Sequence, residues 1–295
     1  MSFRDRIREA NRHDIHGFRV FRVAGQRVGF IRHAFAERLR HWPAVFAVTA
    51  HEVRLASALD HGDTPATERS AAVQGVIEKL YGDGLFQHWR GERYAVNRAF
   101  TDPPLLAMER AAIPLFGVCG YGVHLNGYVR TPDGLKMWIG RRALNKPTAP
   151  GKLDQLVAGG QPVGIGLQDN LIKECAEEAA IPAELAARAL PVGAVSYCLE
   201  VEHGLRPDVL FNYDLELPPD FVPVNTDGEV EEFFLWPIEQ VINTVRDSED
   251  FKFNCALVVI DFLIRHGLIA PDHPDYIDLL SGLRQREIIF ARIAD

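Results

Sequence analysis

Apolar side chains recur every three or four positions over residues 1–12, 34–42 and 67–81, the spacing that buries one face of a helix. Between these stretches, residues 18–21 and 28–31 flank a turn at Gly25, and 45–49 and 53–56 are rich in strand-forming types. Thr101-Asp102-Pro103-Pro104, followed by Pro114, interrupts the pattern, because proline lacks an N–H and forbids helix before it. A boundary is therefore drawn near residue 115, with 1–115 expected to form a small α+β unit.

Beyond the boundary the period changes. Residues 123–129 alternate apolar and polar, and Thr131-Pro132-Asp133-Gly134 supplies a turn into 135–140, which predicts an antiparallel pair. Strands follow at 192–202, at 208–217 after His203-Gly204, and at 231–236. Pro237 opens a helix, and 253–267 predicts a last helix ending at Gly267. Residues 116–295 thus read as an α/β unit.

Composition narrows the class. The 295 residues are 47% apolar and 24% charged, enough for a substantial core. The longest strongly apolar run, Cys255 to Ile264, contains Asp261 and is far shorter than a membrane span. No basic segment, apolar core and cleavage site stand in order at the N-terminus. A soluble cytoplasmic protein with no membrane partner is expected. Cys119, Cys175, Cys198 and Cys255 are widely spaced among apolar neighbours, as reduced core thiols are. The net charge of −8 divides unevenly: residues 1–115 hold 17 basic and 13 acidic side chains, residues 116–295 hold 15 and 27. Arginines of the first half are interleaved with acids, so no basic stripe points to nucleic acid.

The chemistry concentrates at one place. Gly159-Gly160-Gln161-Pro162-Val163-Gly164 leads into Lys173-Glu174-Cys175-Ala176-Glu177-Glu178, which sets Glu174, Glu177 and Glu178 at i, i+3 and i+4 on a helix. Such neighbours lie about 5–6 Å apart at Cβ and repel one another. Glutamate-rich faces are commonly just solvated. Here a double-glycine turn, able to approach a ligand without a Cβ, precedes the helix. Oxygen ligands shared with phosphate suit Mg²⁺, so the cluster predicts a divalent ion held against a diphosphate.

These residues resemble the signature of the Nudix hydrolase family: Gly, five residues, Glu, seven residues, then Arg-Glu-bulky-x-Glu-Glu-x-Gly-bulky. The family's metal-binding glutamates fall on Glu174, Glu177 and Glu178; its first Glu is Ile165, its Arg is Lys173, and its helix-ending Gly is Ala180. In the family the first Glu and the Arg brace the loop against the helix, so the two departures look coupled. The resemblance implies a Nudix α/β/α sandwich with a mixed sheet, a Mg²⁺ or Mn²⁺ cofactor, a small-molecule diphosphate substrate and a homodimer.

Further site residues follow from position. A later acidic loop, Asp227-Gly228-Glu229-Val230-Glu231-Glu232, occupies the place of an additional base or ligand, and Glu229 is favoured; the loop is equally compatible with simple solvation. Arg141 and Arg142 end the strand before the box, and either guanidinium suits a terminal phosphate, although alternation lets only one face the site, with Arg141 preferred. Lys146 lies in the following loop, and Gly159 and Gly160 complete the substrate-binding set. Residues balancing the acidic helix electrostatically would show the same sequence.

Segments such as MWIGRRALNKPTAPGKLDQLVAGGQPVG and DGEVEEFFLWP, with the N-terminal extension, resemble the Nudix branch related to the domain joined to thiamin pyrophosphokinase in some fungi. That resemblance implies hydrolysis of thiamin diphosphate, or its oxidised and damaged forms, to the monophosphate and phosphate. Trp138, Tyr197, Phe211 and Trp236 are able to stack on such rings but suit core packing as well. Other readings stay open: hydrolysis of a nucleoside diphosphate derivative such as ADP-ribose, an isopentenyl diphosphate isomerase, or a non-catalytic ligand-binding regulator. His124, His203 and His266 lack ligand spacing, which disfavours the isomerase, and retention of all three glutamates disfavours the regulator.

Overall fold

The computed structural model of the chain describes residues 1–285. The last ten residues of the unit drawn as 116–295 lie outside the described residues. The first half runs α1 (Phe3–Ala10), β1 (Phe18–Val23), β2 (Gln26–Arg32), α2 (His33–Leu39), β3 (Phe46–Val48) and β4 (Glu52–Leu55). It continues through α3 (Ala66–Gly82), β5 (Arg93–Val96), β6 (Leu106–Glu109) and α4 (Ile113–Phe116). Strands β1 to β4 form a sheet in the order β2-β1-β4-β3, and β5 and β6 a separate antiparallel hairpin. Phe21, Ile31 and Leu55 from the sheet meet Ile77 and Leu80 of α3 and Leu106 and Met108 of the hairpin in one core.

The second half opens with β7 (Gly120–Thr131), β8 (Gly134–Arg142), β9 (Leu153–Asp154) and β10 (Val157–Gly160). Then come α5 (Leu167–Ala179), α6 (Ala183–Ala186), β11 (Leu190–Val201), β12 (Gly204–Glu216) and β13 (Val230–Pro237). Helices α7 (Ile238–Asp247), α8 (Phe253–Arg265) and α9 (Tyr276–Gly282) finish the described chain. The strands make one mixed sheet, β11-β12-β7-β8-β13, with β10 beside β7 and β9 beside β8. Its one parallel contact along that path is β12 with β7, and the others are antiparallel.

Alternation along these strands feeds two cores. Val123, Leu125 and Val129 of β7 pack on Leu171, Cys175 and Ala179 of α5. The opposite face carries Tyr128, Ile139 and Val195 against Val241 of α7 and most of α8. Helices therefore cover both faces, as the α/β/α expectation required. Asp261, which interrupts the apolar run of α8, is buried but bound by Arg265 and Arg284, each at 2.7 Å, and a paired charge is tolerated in a core where a lone one is not. Among the described residues no helix is long and apolar enough to cross a membrane. All four cysteines are buried and free.

Two features cut across the division near residue 115. Helix α1, started by a reciprocal Ser2–Asp5 cap, sends Phe3, Ile7 and Ala10 into the core of the second half beside α8 and α9. The Thr101–Pro104 signal is also no linker: it lies in the connection of the β5–β6 hairpin, inside the first half. A proline-rich turn reads alike in both settings, because only the pairing of its flanking strands tells them apart. Helix α9 was not anticipated from the pattern.

Candidate active site

Helix α5 lies against β10, and its polar side chains serve that strand. Asn170 Nδ2 donates to the Gly160 carbonyl at 2.8 Å, and the Ala158 N–H donates to Glu178 Oε2, also at 2.8 Å. Between them Glu174 crosses Gly159, where any Cβ would stand 2.3 Å from the Glu174 Cγ and Cδ. Glycine is required here for the close approach of Glu174, a side chain of the box itself, where the sequence reading had a ligand in view. Glu178 is buried, Glu174 has only 13% of its side chain exposed, and Glu177 has 46%.

The three glutamates thus share a helix without sharing an environment. Burial pushes Glu178 well above the ordinary carboxylate range, against the Ala158 hydrogen bond, and Asp154, Glu174 and Glu229 add to the rise. Glu174 is also raised by burial, moderated by Lys173. Lys173 Nζ reaches Glu177 Oε2 at 2.6 Å and Glu174 Oε1 at 3.3 Å. Their carboxylate oxygens are not gathered as one set: among the described residues, the ligand atoms within 4.8 Å of one another are those of His124, Asp154 and Cys255.

The departures at Ile165 and Lys173 have a structural counterpart. Gln161 Nε2 donates to the Ile165 carbonyl at 2.7 Å, and Asn170 Nδ2 donates to Gln161 Oε1 at 3.1 Å. Both amides are buried. Neutral amides therefore brace the loop onto the helix, and Lys173 turns to the glutamates. Ala180 ends α5 in the left-handed conformation, φ 51°, ordinarily taken by glycine.

A small cleft beside Glu178 is lined by Gly140, Arg142, Asp154, Gln155, Glu229 and Val230. The preference for Arg141 is corrected. Arg142 lines this cleft, whereas the Arg141 guanidinium lies over the Phe234 ring, 5.2 Å from its centroid. Strand alternation sends the two to opposite faces. Arg142 is itself engaged, donating to Asp154 Oδ2 at 2.7 Å and to the carbonyls of Thr148 and Ala149. Lys146 is ion-paired with Glu229. Burial raises Glu229, but Lys146, with Arg110 and Arg142 beyond it, outweighs that and holds its carboxyl below the ordinary range. Trp138 and Tyr197 are buried in the cores, so neither is a stacking surface.

Several residues at or behind the cleft are brought together only by the fold, although the loop position of Asp154 already put it within reach of a ligand. His124, Asp154 and Cys255 converge from β7, β9 and α8, with Cys255 Sγ 2.7 Å from Asp154 Oδ1 and His124 Nδ1 2.7 Å from Gln155 Oε1. Asp154 already faces Arg142 at 2.7 Å and Lys252 at 3.8 Å, and these cations override burial to hold it below the ordinary range. With its charge so matched, the cluster is an ion-pair hub supporting Arg142, not a place for a further cation. Tyr94 and Arg110 of the first half also reach the box, meeting the position of a Gly160 Cβ at 1.6 Å (Tyr94 Oη) and 3.0 Å (Arg110 Cζ). Their separation from the box in sequence hid this.

The profile of a family described as a domain of unknown function (DUF4743) matches residues 2–120. "Nudix hydrolase 24, chloroplastic" of Arabidopsis thaliana is 48% identical over 90% of this chain and 73% of its own length. "Nudix hydrolase 20, chloroplastic" of the same plant is 44% identical over 97% and 78% respectively. Among solved structures, the NUDIX domain of Shewanella oneidensis NrtR complexed with ADP ribose is 16% identical, covers 51% of this chain and 90% of that domain, and has a TM-score of 0.41. With 44–48% identity over 90–97% of its length to two plant Nudix hydrolases, the chain belongs to the Nudix hydrolase family, as a hydrolase.

Proposed function

We propose that this hydrolase splits the phosphoanhydride of a small diphosphate, thiamin diphosphate or its oxidised and damaged forms, giving the monophosphate and phosphate. The observation that carries the hydrolytic part is the seating of Glu178 and Glu174 against β10, with Glu178 lining the cleft. A buried carboxylate with a raised pKa and like-charged neighbours favours a compensating cation. The cradle at Gly159, which a Cβ would fill, leaves room for the Glu174 carboxylate to serve it.

The donor set is all oxygen, which fits Mg²⁺ or Mn²⁺. Glu174, Glu177 and Glu178 would hold the ion. When bound, it would supply Lewis acidity toward phosphate oxygens and ease ionisation of water. The chain's own residues do the rest. Lys173 pairs with Glu174 and Glu177 and offsets their mutual repulsion. Glu229, held ionised by Lys146, is the carboxylate placed to accept a proton from water at the cleft. Arg142 fixes the 142–149 loop, and the Gln161–Asn170 amides fix the glycine turn.

The choice of thiamin diphosphate is supported by the sequence segments around the box. Release of phosphate from thiamin diphosphate, oxidised thiamin diphosphates and ADP-ribose, each with and without Mg²⁺, tests it. Metal-dependent turnover fastest on a thiamin compound is expected; preference for ADP-ribose would replace the substrate, and no turnover of any diphosphate would remove the reading.

A further inference from the structure

The cations that the sequence offered for gripping phosphate are committed, Arg142 to Asp154, Lys146 to Glu229 and Arg141 to the Phe234 ring, and Lys173 of the box is paired with Glu174 and Glu177. A diphosphate carries more negative oxygens than metal alone neutralises, so a binding arginine is to be sought beside the glycine loop. Arg110 meets the requirement. It follows β6 in the N-terminal half, and its side chain is 40% exposed. Among the described residues it makes one side-chain hydrogen bond, Nη1 to Glu92 Oε2 at 2.7 Å, out of the five donors a guanidinium has. Its plane is supported by the buried Tyr94 ring, 5.5 Å from Cζ to centroid.

Its position is fixed by the box itself. The Val163 N–H donates to the Arg93 carbonyl at 2.9 Å, which ties the β5–β6 hairpin to the glycine loop. Gly159 and Gly160 are successive residues of β10, so their missing side chains point to opposite faces. Gly159 opens toward Glu174, and Gly160 toward Tyr94 and Arg110. Acid and guanidinium therefore flank the same short strand from its two sides.

We propose that Arg110, contributed by the N-terminal half, is a substrate-binding residue that grips the diphosphate, with Tyr94 as its platform and Glu92 as the resting partner that a phosphate oxygen displaces. The proposal rests on the hydrolase reading above and gives residues 1–115 a place in the site. It separates affinity from chemistry: Arg110 acts on KM, and the α5 carboxylates act on kcat.

The test uses the full chain and methylenediphosphonate, a diphosphate that cannot be hydrolysed, titrated calorimetrically in Mg²⁺. Arg110→Gln is expected to weaken binding about tenfold or more, with Arg110→Lys recovering part of the loss. Glu92→Gln, which frees the guanidinium, is expected to tighten binding, and Arg38→Gln, which breaks a surface pair with Asp83, to leave it unchanged. In turnover, Arg110→Gln should raise KM by a similar factor with a smaller change in kcat. Wild-type affinity in Arg110→Gln, or weaker binding in Glu92→Gln, overturns the proposal. Loss of binding in Arg110→Gln alongside a wild type that hydrolyses no diphosphate would leave this arginine's role standing and remove the hydrolase reading instead.

Discussion

Gly159 and Glu174 exclude one another's larger neighbours: the space a Cβ on Gly159 would take is filled by Cγ and Cδ of Glu174 at 2.3 Å. The glycine backbone is in no left-handed conformation, so a substitution there acts through this contact and not through φ. Gly159→Ala should displace the Glu174 carboxylate while the fold persists. A loss of turnover of about 100-fold is expected, since misplacement of a site group by about 1 Å has that effect. Steady-state rates with thermal melts as control decide it, and unchanged rates would remove Glu174 from the metal set.

Glu177 and Glu178 predict a contrast between activity and stability. Glu177 is about half-exposed and paired only at the surface with Lys173, so Glu177→Gln should abolish turnover yet shift stability by less than about 0.5 kcal/mol. Glu178→Gln should also abolish turnover, but Glu178 is buried and accepts from Ala158, so the fold responds as well. Denaturant unfolding beside phosphate-release assays checks both; full activity in either variant would contradict the assignment.

Ala180 offers a gain. An L-residue in the left-handed region costs about 1–2 kcal/mol, which glycine avoids. Ala180→Gly should raise unfolding free energy by about 1 kcal/mol, after the larger chain entropy of glycine is offset. A lower melting temperature would show that the Ala180 methyl makes a compensating contact.

His124 ties stability to pH. Burial lowers its pKa from 6.5 to about 4, against the pull of Asp154. The folded state therefore prefers neutral His124, and the unfolded chain binds the proton first as pH falls. Its contribution is fully present above about pH 6.5, declines between about 6.5 and 4, and is level below that. The stability difference between wild type and His124→Gln, measured by urea unfolding, should shrink by a few kcal/mol from pH 7 to pH 4.5. A difference independent of pH would mean that His124 titrates normally.

Arg142 and Arg141 are adjacent yet unequal. Removing Arg142 leaves the buried Asp154 with Lys252 alone at 3.8 Å, so Arg142→Ala should destabilise by about 3–5 kcal/mol. Arg141→Ala loses a cation–π contact of about 0.5–1 kcal/mol. Comparable losses in the two variants would contradict this placement of the guanidiniums.

Local sequence determined a good deal. Helix α5, its apolar stripe, the alternating β7–β8 pair and the acidic face were all legible, because periodicity records which side of an element is buried. That glycine at 159 makes way for Glu174 was not legible, because the strand–helix packing that presses them together is tertiary. Which of Arg141 and Arg142 meets the cleft depended on the phase of β8 against β13, and the amide brace of Gln161 and Asn170 on how α5 meets the loop. Tyr94, Arg110, His124, Asp154 and Cys255 reach the site or its support from strands and helices far apart in the chain. Only tertiary structure decided those meetings, because they follow from how sheets pair and faces pack, and no local spacing encodes the distance between residues that the chain brings together from opposite ends.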